Sequence, residues 1–483
     1  MDLPILPNAT ARRFLDWCDS KTRSLAASTF DTDTTLDTLT LLKLGSFLSP
    51  NSIYKSSQVL GGVHTVDYGF IFVDVNKRYG PIAWIRPNHL ITNDPEIIRH
   101  ILAVNFKWRR GPWFDSIRID PRVSNIVFKR DACRHNSMRH QMAAGYAGKD
   151  IQGLEATVDE RVGEFIDCIE QRWISSLGTT TSFEIARRLQ FFIIDTITHL
   201  CFGKPLGFVD SDSDKFNFIA TIEQQLPIVQ HFSVILCLNT LLKWISDIQL
   251  FRWMVVPSSA DNTGIGLIMG LSRDVIHERL KSPELQKHDM LGSFMKRGLN
   301  PEQAEMEISI TLVAGSDTTA TALRATLLAI ISTPTVYRRL IREIDEAIAK
   351  GIVSSPVTNA EAMKLPYLQA VIREGLQQHP PITQLRERKS PPGGCTLPNG
   401  GVFVGLNAWG TQLHPVYGED VHIFRPERWL PENYNDNGKQ LEAMGKVYEL
   451  IFGHGMTRCL GIPIAMMNLN KMLVEAFHDL IFV

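Results

Sequence analysis

Ten residues, Phe452-Gly453-His454-Gly455-Met456-Thr457-Arg458-Cys459-Leu460-Gly461, have the types and spacing for thiolate chemistry. Three glycines let the backbone take positive φ and approach a flat ligand closely. The single cysteine precedes a helical pattern beginning near Ile464, a position that favours thiolate over thiol. The alternative is a Gly-rich turn around a buried structural cysteine.

A second reactive run is Ala314-Gly315-Ser316-Asp317-Thr318-Thr319, in the middle of a long helical pattern. Gly315 inside a helix costs about 1 kcal/mol relative to alanine. The Thr318 hydroxyl can bond the carbonyl four residues earlier, that of Ala314, and loosen the ladder. The run reads as a weak spot in the helix against a flat cofactor; a polar face packed on a loop is the alternative. His135 and Arg139, four apart, share one helix face. With Arg130, Arg134 and His140 nearby, that face also reads as a solvated basic surface.

Helix-start signals frame these residues. Asp94-Pro95-Glu96 offers a cap, a proline suited to the first turn and an acid for the helix dipole. Alternation from Ile82 to Ile91 predicts strands ahead of it. Asn300-Pro301-Glu302 opens a helix that proline stops at Thr333-Pro334. At 1.5 Å per residue it runs roughly 50 Å, enough to cross a domain. Residues 150–300 read as successive amphipathic helices with loops at Gly203-Lys204-Pro205 and 210–214. Residues 36–48 read as a short helix, Leu385-Arg386-Glu387-Arg388 as a strand leading to a turn at Pro391-Pro392-Gly393-Gly394, and residues 402–407 as another strand.

The chain has 483 residues, 44% hydrophobic and 21% charged, with a net charge of −1. That balance argues against a nucleic-acid binder, which would show a basic excess. Seven scattered cysteines show no metal-ligand spacing and read as thiols in a reducing compartment. No stretch reaches the roughly 20 apolar residues of a spanning helix. The apolar region 231–257, broken by Lys243, Asp247 and Arg252, reads as amphipathic helices that cover a core or touch a membrane surface.

The cysteine loop resembles the F-x-x-G-x-R-x-C-x-G haem-binding signature of the cytochrome P450 superfamily at Phe452, Gly455, Cys459 and Gly461. The arginine position holds Thr457, with Arg458 one residue later. The run around Asp317 and Thr318 resembles the family's A-G-x-D/E-T-T at every fixed position, and Phe424-Arg425-Pro426-Glu427-Arg428-Trp429 resembles its meander motif. The segment from Leu365 to Gln377 resembles the family's K helix, but the partner of Glu374, an arginine in the family, is Gln377. Glutamine can hydrogen-bond a carboxylate without neutralising it, and a buried carboxylate without its cation is penalised by several kcal/mol. Arg428 is the better candidate, giving a two-membered structural lock, Glu374–Arg428.

The resemblance runs from residue 68 to 483 and is strongest to fungal enzymes of secondary metabolism. It implies a mainly α fold with a minor β region, an atypical segment at 1–60 without the usual anchor, and a P450 domain at 61–483. The C-terminal strands of relatives are expected to be missing, and the hairpin at 396–402 shortened. The implied cofactor is haem b (iron protoporphyrin IX), with Cys459 as axial iron ligand and His135, Arg139 and Arg388 at the propionates. A thiolate in that place pushes electron density onto iron and favours O–O cleavage. Asp317 and Thr318 are implied to relay protons, and electrons to come from an NADPH–cytochrome P450 reductase, because no flavin or nicotinamide fingerprint is present. The substrate is implied to be a hydrophobic small molecule, and the location the endoplasmic reticulum surface. Gln377, Thr457 and the expected absence of the C-terminal strands support a second reading, a P450-fold protein with impaired catalysis. A third is a reductase-independent haem-thiolate isomerase or dehydratase, against which the intact Asp317–Thr318 pair argues.

Overall fold

Capping side chains set where helices begin. Asp94 accepts from the amides of Glu96 and Ile97 at 2.8 and 3.0 Å. Asn300 and Gln303 cap each other's amides at 2.8 and 3.1 Å, a reciprocal box at the start of the longest helix. The computed structural model describes residues 66–86, 88–104, 107–116, 125–175, 182–225, 258, 261, 264–281, 288–391, 402–436 and 438–480. The expectations for 1–60, 231–257 and 396–401 lie outside the described residues.

The helices that matter here are α1 (Val66–Tyr79), α2 (Pro95–Leu102), α3 (Ala132–Tyr146), α4 (Leu154–Trp173), α5 (Ile185–Phe202), α6 (Gly264–Lys281), α7 (Met290–Lys296), α8 (Pro301–Ile331), α9 (Pro334–Ala349), α10 (Pro366–Gln378), α11 (Lys439–Tyr448) and α12 (Ile462–Asp479). Strands β1 (Ile82–Arg86), β2 (His89–Thr92), β3 (Arg109–Arg110), β4 (Arg388–Lys389) and β5 (Phe403–Leu406) form one sheet in the order β1-β2-β5-β4-β3. The pair β2–β5 is parallel and the others antiparallel. The β3–β4 register sets Arg110 opposite Arg388. The architecture is mainly α with a small sheet, as the resemblance implies.

Helix α8 is the axle. It is buried along most of its length and packs on α5, α6, α9, α10 and α12. Ile308 and Leu312 of α8, Phe192 and Ile194 of α5, Val371 of α10 and Leu473 of α12 share one buried core. Each fully buried side chain of this size contributes about 1.5–3 kcal/mol. A smaller core joins sheet to helix, with Leu90, Val404 and Leu406 against Ile98, Ile101 and Leu102 of α2.

Helix α1 covers a stretch for which no element is expected from sequence, and it buries Val73 and Val75. Two expectations need correction. The strand expected from Leu385 is only Arg388–Lys389, since Arg386 takes a positive φ of 41° that ends extended backbone. The loop at 210–214 begins inside a single helical turn, Phe208–Ser211.

Gly375 lets α10 lie directly on α8. A methyl group there would run into the Thr326 side chain, which is fully buried. Gly375→Ala should lower stability by about 1–3 kcal/mol, read from the denaturant midpoint.

Candidate active site

The Cys459 loop folds around two left-handed glycines, Gly453 with φ 75° and Gly455 with φ 57°. A side chain at Gly455 would strike the Leu102 carbonyl of α2, so the loop is pinned to that helix end. Gly461 differs: its φ is −77°, it caps α12, and a Cβ there would stand 3.8 Å from the Cys459 sulfur, in ordinary contact. The Cys459 amide donates to the Phe452 carbonyl at 2.8 Å, closing the loop. Helix α12 starts two residues earlier than its apolar pattern, at Ile462.

Cys459 is solvent-accessible, yet burial dominates its proton affinity. Both hold if the thiol lies on the wall of a deep cleft. Burial pushes the thiol up from its ordinary value, opposed by the Gly461 amide, Arg139, Arg386 and the Ile462 amide. The thiolate preference expected from loop position alone is thus outweighed by desolvation. A coordinated metal deprotonates such a thiol outright.

Around the cleft sits a surplus of guanidinium groups. Arg139 of α3 donates to the Arg458 carbonyl at 2.6 Å, which ties α3 to the cysteine loop. His135, one turn earlier, is buried and lies 3.2 Å from the Arg110 guanidinium through Nε2 and 3.2 Å from Asn136 Oδ1 through Nδ1. Burial, then Arg110, lowers the His135 pKa to about 4, so the imidazole is neutral and accepts from Arg110. Arg110 also donates to the carbonyls of Ile126 and Lys129 at 2.9 and 2.7 Å. Burial and Arg139 lower its pKa to about 10, which leaves it charged.

Arg388 is buried and donates to the Arg386 carbonyl at 2.7 Å. Burial, followed by Arg110 and Arg386, pushes it well below its ordinary value, and Glu387 pulls it back. Arg110 and Arg388 both lie 5.0 Å from the Phe114 ring centre, whose π face eases two like charges held close. Glu387 is turned to the Trp113 amide at 3.1 Å and toward His89 at 3.5 Å. Four guanidiniums, Arg110, Arg139, Arg386 and Arg388, therefore gather with one carboxylate that is engaged elsewhere. Such a set calls for an anionic ligand. Arg110 and Arg386 are site residues that the sequence reading missed. Arg386 was legible from its two-residue spacing to Arg388, while Arg110 carried no motif.

On α8 the expected residues share one stretch. Asp317 is buried; Thr318 is half-buried and donates to the Ala314 carbonyl at 2.8 Å, the back-bond its position implies. Ala314 is exposed in the middle of a helix whose other exposed residues lie toward its ends, so this strip also faces a cleft. The helix is unbroken there, and Gly315 faces Ile197 of α5, where a Cβ would stand 3.2 Å from that side chain. Gly315 serves helix packing; it is not a break in the ladder. Burial raises the Asp317 pKa to about 6, with Arg324 lowering it and Glu223 raising it.

Haem fits these residues. It brings one iron, which needs an accessible thiol, and two carboxylates, which need the guanidinium surplus. Among the described residues no group of three or more His, Cys, Asp or Glu side chains could hold a bare metal ion. No described helix is long and apolar enough to cross a membrane.

Glu374 and Arg428 meet, both fully buried, with Arg428 Nε 3.0 and 3.1 Å from the two carboxylate oxygens. Trp429 Nε1 and the Arg425 amide complete the carboxylate's partners at 2.8 and 2.9 Å. Gln377 does not bond Glu374: its amide turns to the Gln412 carbonyl, the better buried acceptor on its own side of α10. Gln378 reaches Glu374 instead, at 3.3 Å. Arg428→Ala should cost about 3–5 kcal/mol by stranding a buried carboxylate. Gln377→Ala, losing one neutral hydrogen bond and some packing, should cost about 1–3 kcal/mol. Chemical denaturation of both variants checks the order.

The family model described as Cytochrome P450 matches residues 60–479. The chain is 38% identical over 421 residues to "Cytochrome P450 monooxygenase ABA1" of Pyricularia oryzae, covering 84% of this chain and 80% of that one. It is 31% identical over 412 residues to "Cytochrome P450 monooxygenase aba1" of Botryotinia fuckeliana, covering 83% and 79%. With "Cytochrome P450 monooxygenase abl1" of Leptosphaeria maculans the identity is 31% over 416 residues, covering 84% and 71%. A haem-shaped donor set, the mainly helical fold and these matches agree: the chain belongs to the cytochrome P450 superfamily, as a haem-dependent monooxygenase of the fungal secondary-metabolism type.

Proposed function

We propose that this protein inserts one oxygen atom from O2 into a hydrophobic small molecule of fungal secondary metabolism, with electrons from an NADPH–cytochrome P450 reductase. The observation that carries the reading is the accessible Cys459 thiol beside a guanidinium surplus. Dioxygen activation is the chemistry haem supplies when bound. The chain's own residues do the rest.

Cys459 would ligate the haem iron, on a loop turned by Gly455 and closed on the Phe452 carbonyl, with Gly461 capping α12 beside it. Arg139 and Arg388 would hold the propionates. His135 works through Arg110, whose guanidinium it orients. Asp317 and Thr318 move protons: the Thr318 hydroxyl, parked on the Ala314 carbonyl, reaches the cleft by a change of χ1 rotamer. A carboxyl with a pKa of about 6 both takes and gives protons near neutral pH. This pair supports an oxygenase over a reductase-independent rearrangement, which needs no protons delivered to dioxygen. The partners that Glu374 retains support a folded, haem-competent protein despite Gln377.

Reconstitution with the reductase, NADPH and 18O2, against a panel of apolar small molecules, tests the reading. One labelled oxygen in the product is expected; product without reductase, or without label, would overturn it.

Asp317 gives a pH signature. Its pKa rises from 3.8 in the unfolded chain to about 6 in the fold, so ionising it weakens the fold. Parent stability relative to Asp317→Asn should therefore fall as pH rises from about 4 to about 6, then level off. NADPH-coupled turnover of the parent should drop as pH falls through about 6. In Asp317→Asn it should be at least about tenfold lower, without that inflection.

A further inference from the structure

Arg386, like Arg110, is a cation near the cleft that no motif accounts for. Its backbone sits at φ 41°, a conformation unusual for a side-chain-bearing residue, and one that must be held by its surroundings. The surroundings do hold it. Its carbonyl takes the Arg388 guanidinium at 2.7 Å, and the preceding Leu385 carbonyl takes the Leu406 amide of β5. Leu385 also fills the space over Gly405, where any Cβ would stand 3.0 Å from it. The left-handed turn therefore breaks the strand before β4 and redirects one side chain.

That side chain goes into the cleft. Arg386 is only half-buried by surface, yet protein surrounds it so closely that burial dominates its proton affinity, as for Cys459. Arg386 lies within electrostatic reach of Cys459, each favouring the other's charged form. Its Nε is buried with no hydrogen-bond partner. A buried guanidinium N–H left open, beside Arg388 and Arg110, is a donor awaiting an anion.

The cysteine loop shows why one more cation is needed. Thr457 occupies the position where the loop signature has arginine. Its hydroxyl donates back to the His454 carbonyl at 3.1 Å and contributes no charge to the cleft. Arg458, one residue on, is exposed, and its carbonyl is taken by Arg139. Haem still carries two propionate carboxylates.

We propose that Arg386 supplies the cation that the loop lacks at Thr457, holding haem through its carboxylate edge. With haem bound, a cation at the strand turn would also raise the reduction potential relative to a site without it, because it favours the less positive, reduced iron.

Arg386→Gly tests this with little strain, since glycine accepts the left-handed turn. Haem release from the loaded enzyme, followed by transfer to apomyoglobin, should be about 10- to 100-fold faster, the effect of one charge-assisted hydrogen bond. The midpoint potential should become more negative, and Arg386→Lys should fall between variant and parent on both readings. Adding Thr457→Arg to Arg386→Gly should restore haem retention, which a purely structural role for Arg386 would not allow. Unchanged haem release and potential in Arg386→Gly would overturn the proposal. So would faster release that Thr457→Arg fails to rescue.

Discussion

Every donor of Arg428 is taken inside the protein. Nε holds both oxygens of Glu374, Nη1 holds the Tyr417 carbonyl and Asp420, and Nη2 holds the carbonyls of Asp420 and Ile423. One guanidinium thus fastens α10 to the irregular segment from Tyr417 to Trp429. The effect travels on through rings. Trp429 meets Tyr448 edge-on at 5.4 Å, and Tyr448 meets Phe452 at 6.4 Å, at the root of the Cys459 loop. A fully buried ion pair is weak evidence for stability when compared with apolar packing, but removing one partner is severe. Here it fixes geometry: the loop that presents the thiol hangs from this clamp at one end and from α2, through Gly455, at the other.

The site itself depends on unbalanced charge. Arg110 and Arg386 both crowd Arg388, and His135 is kept neutral so as to accept from Arg110. Left to themselves, such groups repel in a low dielectric, where each interaction is stronger than in water. A ligand with two carboxylates turns that repulsion into attraction, so haem binding and site folding support each other. On the other wall, α8 remains an uninterrupted helix. Its chemistry lies in which side chains it exposes, with Asp317 held at a raised pKa mainly by burial.

Much of this was legible in the sequence because caps and chemistry-bearing motifs are local. The Asn300 box, the Asp94 cap, the Thr318 back-bond and the meeting of Glu374 with Arg428 follow from residue types at fixed spacing. What escaped depends on long-range packing. Gly315 looked like a break facing a cofactor, but the space it leaves is filled by Ile197 of α5. Gln377 looked like a residual partner of Glu374, but the Gln412 carbonyl, distant in sequence, captures it. Arg110 joins the site only because β3 pairs with β4, a contact between segments far apart in sequence. Cys459 looked like a ready thiolate until the depth of its cleft was set against the amides of Gly461 and Ile462.

The measurement that bears most directly on this account is the carbon monoxide difference spectrum of the reduced, haem-supplied protein, beside that of Cys459→Ala. Thiolate ligation predicts the red-shifted Soret band of a haem–thiolate complex in the parent and its loss in the variant. A soluble parent without bound haem, or a red-shifted band that survives in Cys459→Ala, would contradict the assignment of this cleft and this sulfur.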